Sequence, residues 1–206
     1  MRFMVIAAAT AALWVGAAQA VTLDFVAEAA GAERGVEDGT TINFGGLDVT
    51  FSAGPGGLGS DFAYFDDLSG GRPAGLGVCT NLTATMQCTP SNDDNVHADE
   101  SVTLAFRPVV SLSNLEFYDA EHFLLDSASL FLEIAVDGVS EVYSFAEAIA
   151  QTFVGRTFTF AGIDEQDGGA PFYISSVEAT PVPVPAAGLL LLGALGGLGF
   201  ARRRTA

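Results

Sequence analysis

Between Val21 and Thr180 apolar and polar residues alternate with a period of two, the spacing of strands that bury one face. "SVTLAF" places Val102, Leu104 and Phe106 on one side, and "SLFLEIAV" does the same for Leu130, Leu132, Ile134 and Val136. "RTFTFAG" aligns Phe158 with Phe160, and "PFYISSV" aligns Phe172, Ile174 and Val177. "VTLDFVA", from Val21, alternates as well. Two alternating runs flank Gly45-Gly46 and another pair flanks Asp137-Gly138, both two-residue hairpin signals. The pattern predicts eight to ten strands, roughly, by this counting of periods.

Helical spacing is confined to "SFAEAIAQTF", where Ser144 followed by Glu147 forms a capping-box signature ahead of helix-favouring alanines. From Ser52 to Val78 the chain is dense in glycine and reads as a long loop with one short edge strand at Phe62 to Phe65. Many strands at regular spacing with glycine turns predict an all-β protein, specifically a two-sheet antiparallel β-sandwich of jelly-roll type.

The ends break the pattern. Arg2, an apolar run from Phe3 to Val15, and small residues at Ala18 and Ala20 make a secretory signal peptide, residues 1–20, with cleavage before Val21. The exported domain then spans residues 21–179, and residues 180–206 form a third segment: a proline-punctuated spacer, an apolar run from Ala186 to Ala201, and Arg202, Arg203 and Arg204. As a helix the run reaches ~24 Å, just short of the ~30 Å apolar core of a bilayer. Arginines following a short span stay on the cytoplasmic side, which leaves the domain outside.

Val182, Pro183, Val184, Pro185 and Ala186, followed by a Gly/Leu run and an arginine cluster, resemble the VPLPA-type variant of the PEP-CTERM sorting signal of Gram-negative bacteria. Val184 stands where the motif has Leu. The resemblance covers about the last twenty-five residues and implies a membrane-embedded exosortase that recognises the motif, cuts near it and removes or replaces the anchor. It also implies a sandwich domain. Alternating prolines keep such a segment extended and unpaired, as a protease substrate must be.

All twenty-five acidic residues lie in the domain, against four of the eight basic ones, giving it a formal charge of about −21 with no lysine. A field of that sign repels phosphate backbones, which excludes nucleic acid as a partner. Cys79 and Cys88 are the only cysteines, and in an exported protein so close a pair forms a disulfide, worth roughly 2–3 kcal/mol for a loop of about ten residues.

Candidate chemistry is sparse. "SNDDNVHADE" gathers hard oxygen ligands, with Asp93, Asp94 and Asp99 the first candidates for calcium, although the EF-hand glycine and spacing are missing. "FYDAEH" sets Asp119, Glu121 and His122 near a strand end, where neighbouring side chains diverge, so a polar loop is the expectation. Nucleophile motifs, phosphate-binding glycine loops and paired metal-ligand histidines are absent, so the protein is not expected to be an enzyme. The single tryptophan, Trp14, leaves with the signal peptide; Tyr64, Tyr118, Tyr143 and Tyr173 remain and read as structural. The sequence therefore points to a structural protein with no required cofactor. It is held at the inner membrane by its C-terminal helix, with the domain outside the cytoplasm, and processed by an exosortase for the cell surface or extracellular matrix. The alternative is a calcium-dependent carbohydrate-binding module that contacts extracellular polysaccharide.

Overall fold

A computed structural model describes residues 19–54, 61–67 and 71–183. The strands are β1 Val21–Asp24, β2 Arg34–Val36, β3 Thr40–Phe44, β4 Leu47–Ala53, β5 Phe62–Asp66, β6 Gly75–Cys79, β7 Ser101–Asp119, β8 Phe131–Val136, β9 Val139–Ser144, β10 Phe153–Ala161 and β11 Phe172–Pro181. Two short helices interrupt them, α1 Phe25–Ala29 and α2 Phe145–Ala150. The paired strands are antiparallel throughout and belong to one hydrogen-bonded network, ordered β2-β5-β6-β11-β7-β10-β8-β9. β1 adds to β11, and the β3–β4 hairpin adds to β7 through β4. The all-β class and its antiparallel character follow the period of two.

The length of β7 organises the rest. Its first half, Val102 to Phe106, pairs with β4, whereas its second half, Val110 to Asp119, pairs with β11. β10 runs along both halves, with a register shift between Gly155 and Thr157. One strand thus carries two sets of neighbours, and its own extra residues between Ala105 and Val110, set against Arg156 alone in β10, absorb the change of direction. Phe51 of β4 meets Phe65 of β5 edge to face at 5.3 Å, although these strands share no hydrogen bonds, and Phe25 of α1 packs against both. A second aromatic group joins Phe117 to Phe145, Phe160 and Phe172. Both groups belong to one continuous core.

Both hairpin signals are realised. Gly45 and Gly46 turn with φ of 56° and 95° between Phe44 and Leu47, which are register partners. Asp137 and Gly138, at 49° and 84°, do the same between Val136 and Val139. Asp137 tolerates that conformation because its carboxylate accepts hydrogen bonds from the Arg156 and Thr157 amides at 2.8 and 2.9 Å. α2 carries the capping box, with Ser144 Oγ accepting from Glu147 N at 3.2 Å and Glu147 Oε2 accepting from Ser144 N at 2.9 Å. Ser144→Ala is expected to cost about 1 kcal/mol, read as a lower denaturation midpoint at unchanged slope.

Three expectations need correction. "VTLDFVA" does not stay extended: Asp24 accepts from Ala27 N at 2.8 Å, caps α1, and turns Phe25 into the core. The glycine-dense stretch holds two strands, and neither lies at the edge, since β5 sits between β2 and β6, and β6 between β5 and β11. Among the described residues the strands number eleven.

Among the described residues no helix is long and apolar enough to cross a membrane. Ala18, Val184, Pro185, Ala186, Arg202, Arg203 and Arg204, with the two apolar runs, lie outside the described residues. Ala20, Val182 and Pro183 are exposed. β1 begins at Val21, and Val21 is the register partner of Ala179.

Candidate functional site

Alternation gives the part of the sheet built from β5, β6, β11 and the second half of β7 two unlike faces. Phe65, Leu76, Ile174 and Phe117 are partnered in one row across these four strands and point into the core. Opposite parity puts Tyr64 and Asp66 of β5, Gly75, Gly77 and Cys79 of β6, and Tyr173 of β11 on the other face. Gly77 leaves that face bare where the segment after β6 lies, whereas Gly75 makes room for the backbone of Ile174 and Ser175 in β11. A Cβ at Gly77 would overlap the Asp94 carbonyl oxygen and stand 2.7 Å from Asn95 Cα. Glycine here serves close backbone approach.

The covering segment is fastened at several points. Cys79 and Cys88 are disulfide-bonded, with Cα atoms 5.8 Å apart, as the spacing led us to expect. The loop between them hooks over β2, with Gly35 N donating to Met86 O at 2.8 Å and Gln87 Nε2 donating to Glu33 O at 2.6 Å. Edge backbone that would otherwise be open is thereby paired. Asp93 accepts from Thr80 N at 3.2 Å and from the Thr80 hydroxyl.

Between this cover and the turn after β7 lies a cleft of about 600 Å³. Its walls include Glu33, Asp66, Asp94, Asn95, His122 and Tyr173, drawn from five separate segments of the chain. Tyr173 OH donates to Asp94 Oδ1 at 2.6 Å. Tyr64 OH donates to Glu33 Oε1 at 2.5 Å and accepts from Cys88 N at 3.2 Å, which ties the disulfide to the cleft wall. His122, in a turn at φ 62°, lies 3.2 Å from the Arg72 carbonyl through Nδ1. A carbonyl only accepts, so Nδ1 carries the hydrogen, and Nε2 faces Asp66 Oδ2 at 3.6 Å. That separation is an ion-pair distance, too long for a hydrogen bond. Asn95 is 4% exposed, and its Oδ1 accepts no hydrogen bond.

Carboxylates gathered away from water resist ionisation. Burial, with the neighbouring charges of Asp94, Glu33 and Asp67, pushes Asp66 up to about 8. Asp94 is raised by burial as well, opposed by Tyr173 and by His122. Tyr173 is raised by burial and by the Asp94 charge. Nearby, Glu100 is pushed up to about 7 by burial, despite accepting from His97 N at 2.8 Å.

These shifts set a sign for stability. A carboxyl whose pKa is higher in the fold than in the unfolded chain holds its proton more tightly in the fold. That contribution is complete below about pH 4 and disappears as pH rises through the folded value. Melting temperature in dilute buffer with chelator is therefore expected to fall as pH rises above about 5, most steeply between about 5 and 7, where both groups are protonated in the fold and ionised in the unfolded chain, and to level off above about 8. Asp66→Asn is expected to flatten the upper part of that profile; an equally steep profile in the variant would exclude Asp66 as its source.

The aspartates named as calcium candidates do not converge. Asp93 faces Thr80, Asp94 faces Tyr173, and Asp99 is exposed at φ 65°. Glu121 is exposed while His122 enters the cleft, so this pair diverges, although both lie in the turn beyond the end of β7 at Asp119 and strand parity does not reach them. Tyr64 and Tyr173, read from the sequence as structural, each hold a cleft carboxylate. Glu33 and Asp66 carried no motif. The signal available was the alternation within "GLGVC", where glycine and cysteine occupy one face and Leu76 and Val78 the other.

The fold and the cleft define an antiparallel all-β protein with an acid-lined recess on the face opposite its core. No family model, no curated protein and no solved structure matches the chain.

Proposed function

We propose that this chain is an exported, non-enzymatic protein of the cell surface or extracellular matrix. In this reading its strand network folds over as a β-sandwich, and its C-terminal signal is recognised and processed by an exosortase. The observation that carries the reading is the pairing of Val21 with Ala179. The residue after the expected signal cleavage and the residue just before the sorting motif are neighbours in the sheet, so both apolar ends depart from one place on the domain. The expected cuts, before Val21 and near the Val182 to Ala186 motif, then fall outside β1 and β11. β11 ends at Pro181, and exposed Val182 and Pro183 follow it directly. The Cys79–Cys88 disulfide adds support, since such bonds persist in oxidising compartments. Packing of Phe51 on Phe65 between unpaired strands supports the sandwich.

Intact mass of the protein from a host with an active exosortase tests the processing. The expected mature form starts at Val21 and has lost the residues beyond the Val182 to Ala186 motif, whereas replacing Arg202, Arg203 and Arg204 yields an unprocessed tail. A full-length C-terminus in the unaltered protein overturns the proposal.

A further inference from the structure

The cleft is short of positive charge. Glu33, Asp66 and Asp94 converge on it, and the chain has no lysine. Arg34 is committed to Glu28 at 2.5 Å and to the Phe65 ring, and Arg72 stacks on Phe123 with 3.9 Å between guanidinium carbon and ring centre. That leaves the imidazoles of His97 and His122 as the basic side chains lining the cleft among the described residues, with His122 Nε2 facing Asp66 Oδ2 at 3.6 Å. Asn95 contributes a further acceptor, its unpartnered Oδ1, buried at the cleft wall. A buried acceptor left without a donor costs about 1–3 kcal/mol, so a lone orphan of this kind at a cleft wall marks where a ligand donor belongs.

What the walls want is a positive group with several N–H donors. A bare metal ion fits less well, because calcium and its relatives need ligand atoms packed closely around them. Among the described residues the one group of three such side chains with ligand atoms within 4.8 Å of each other is Cys79, Cys88 and Asp93, whose sulfurs are bonded together. The cleft carboxylates are spread more widely, over a space of about 600 Å³ that suits a small organic group. The phenol ring of Tyr173 and the imidazole of His122, edge to face at 5.1 Å, supply aromatic surface beside the charges.

We propose that this cleft binds an organic cation, a primary ammonium or guanidinium group, through Asp66, Asp94 and the Asn95 amide oxygen. The proposal stands on the cleft alone and is independent of export and processing. Two sources present the same chemistry: the amino sugars of a partly deacetylated polysaccharide, and lysine or arginine side chains of another protein.

The full chain, kept soluble in mild detergent, is titrated with methylguanidine, a glucosamine oligomer, its N-acetylated neutral counterpart, a lysine-containing peptide and calcium. Binding by calorimetry is expected for the cationic probes and not for the acetylated oligomer. Asp66→Asn and Asp94→Asn are each expected to weaken it at least tenfold, while Asp99→Asn, on the exposed surface, leaves it unchanged. The tighter of the sugar and peptide identifies the source. Both histidines of the chain, His97 and His122, line the cleft, so their imidazole NMR signals in the unaltered protein report occupancy even where a variant fails to fold. Binding that is equal in all three variants, or that leaves both histidines unmoved, is nonspecific attraction to an acidic surface and overturns the proposal. So does binding of calcium alone, or no binding at all.

Discussion

Gly77→Ala is expected to destabilise the domain by about 3 kcal/mol or more, at or beyond the upper end of overpacking costs. The added methyl would overlap the Asp94 carbonyl oxygen and press on Asn95 Cα, which is backbone on both counts and unable to swing aside as a side chain does. Either the covering segment lifts from β6 or β6 shifts against β11, and both take Asp94 away from Tyr173. Urea denaturation is expected to show the loss as a lowered midpoint, and the histidine NMR signals of the cleft are expected to move in the absence of any ligand. A stable variant with unmoved histidines would show that the segment does not lie on Gly77. The contrast with Gly46→Ala is informative, since no atom lies within 4 Å of a Cβ there and only the φ of 95° opposes the change.

Phe117→Ala is expected to be the most damaging core substitution, at about 3–5 kcal/mol. Its ring is fully buried on the longest strand and meets Phe145 at 5.2 Å, Phe172 at 5.8 Å and Phe160 at 6.4 Å. Those partners belong to α2, β11 and β10, so one truncation loosens three elements around β7 and opens a cavity that rigid neighbours fill poorly. Phe117→Leu is expected to recover most of the loss in the same denaturation measurement. Near-equal stability of Phe117→Ala and the parent would contradict the view that β7 is the spine of the core.

The contrast between fold and cleft explains what the sequence makes legible. Strands such as Val102 to Phe106 and Leu132 to Val136 announce themselves because alternation is a local property and water on one side enforces it. The capping box at Ser144 is equally local. β6 escapes notice because its outward positions are glycine, and glycine density reads as loop unless the backbone approaching it is known. Phe25 follows the alternation of β1 but is placed by the Asp24 cap, a competing short-range signal that wins.

The cleft is less legible still. Glu33, Asp66, Asp94, His122 and Tyr173 are scattered over some 140 positions and meet only because β5 pairs with β6 and β6 with β11. With twenty-five acids in the chain, convergence of these few is a matter of register, which the sequence does not spell out. The disulfide was foreseeable for the opposite reason, since its cysteines stand nine positions apart and no other partner exists for either.

Fractionation of the native host with immediate alkylation of free thiols tests the central claim, that the domain between the two apolar ends is delivered across a membrane. The account predicts that the domain is recovered outside the cytoplasm, beginning at Val21, with Cys79 and Cys88 protected from alkylation. Recovery of the intact polypeptide from the cytosol, with both cysteines alkylated, would contradict it.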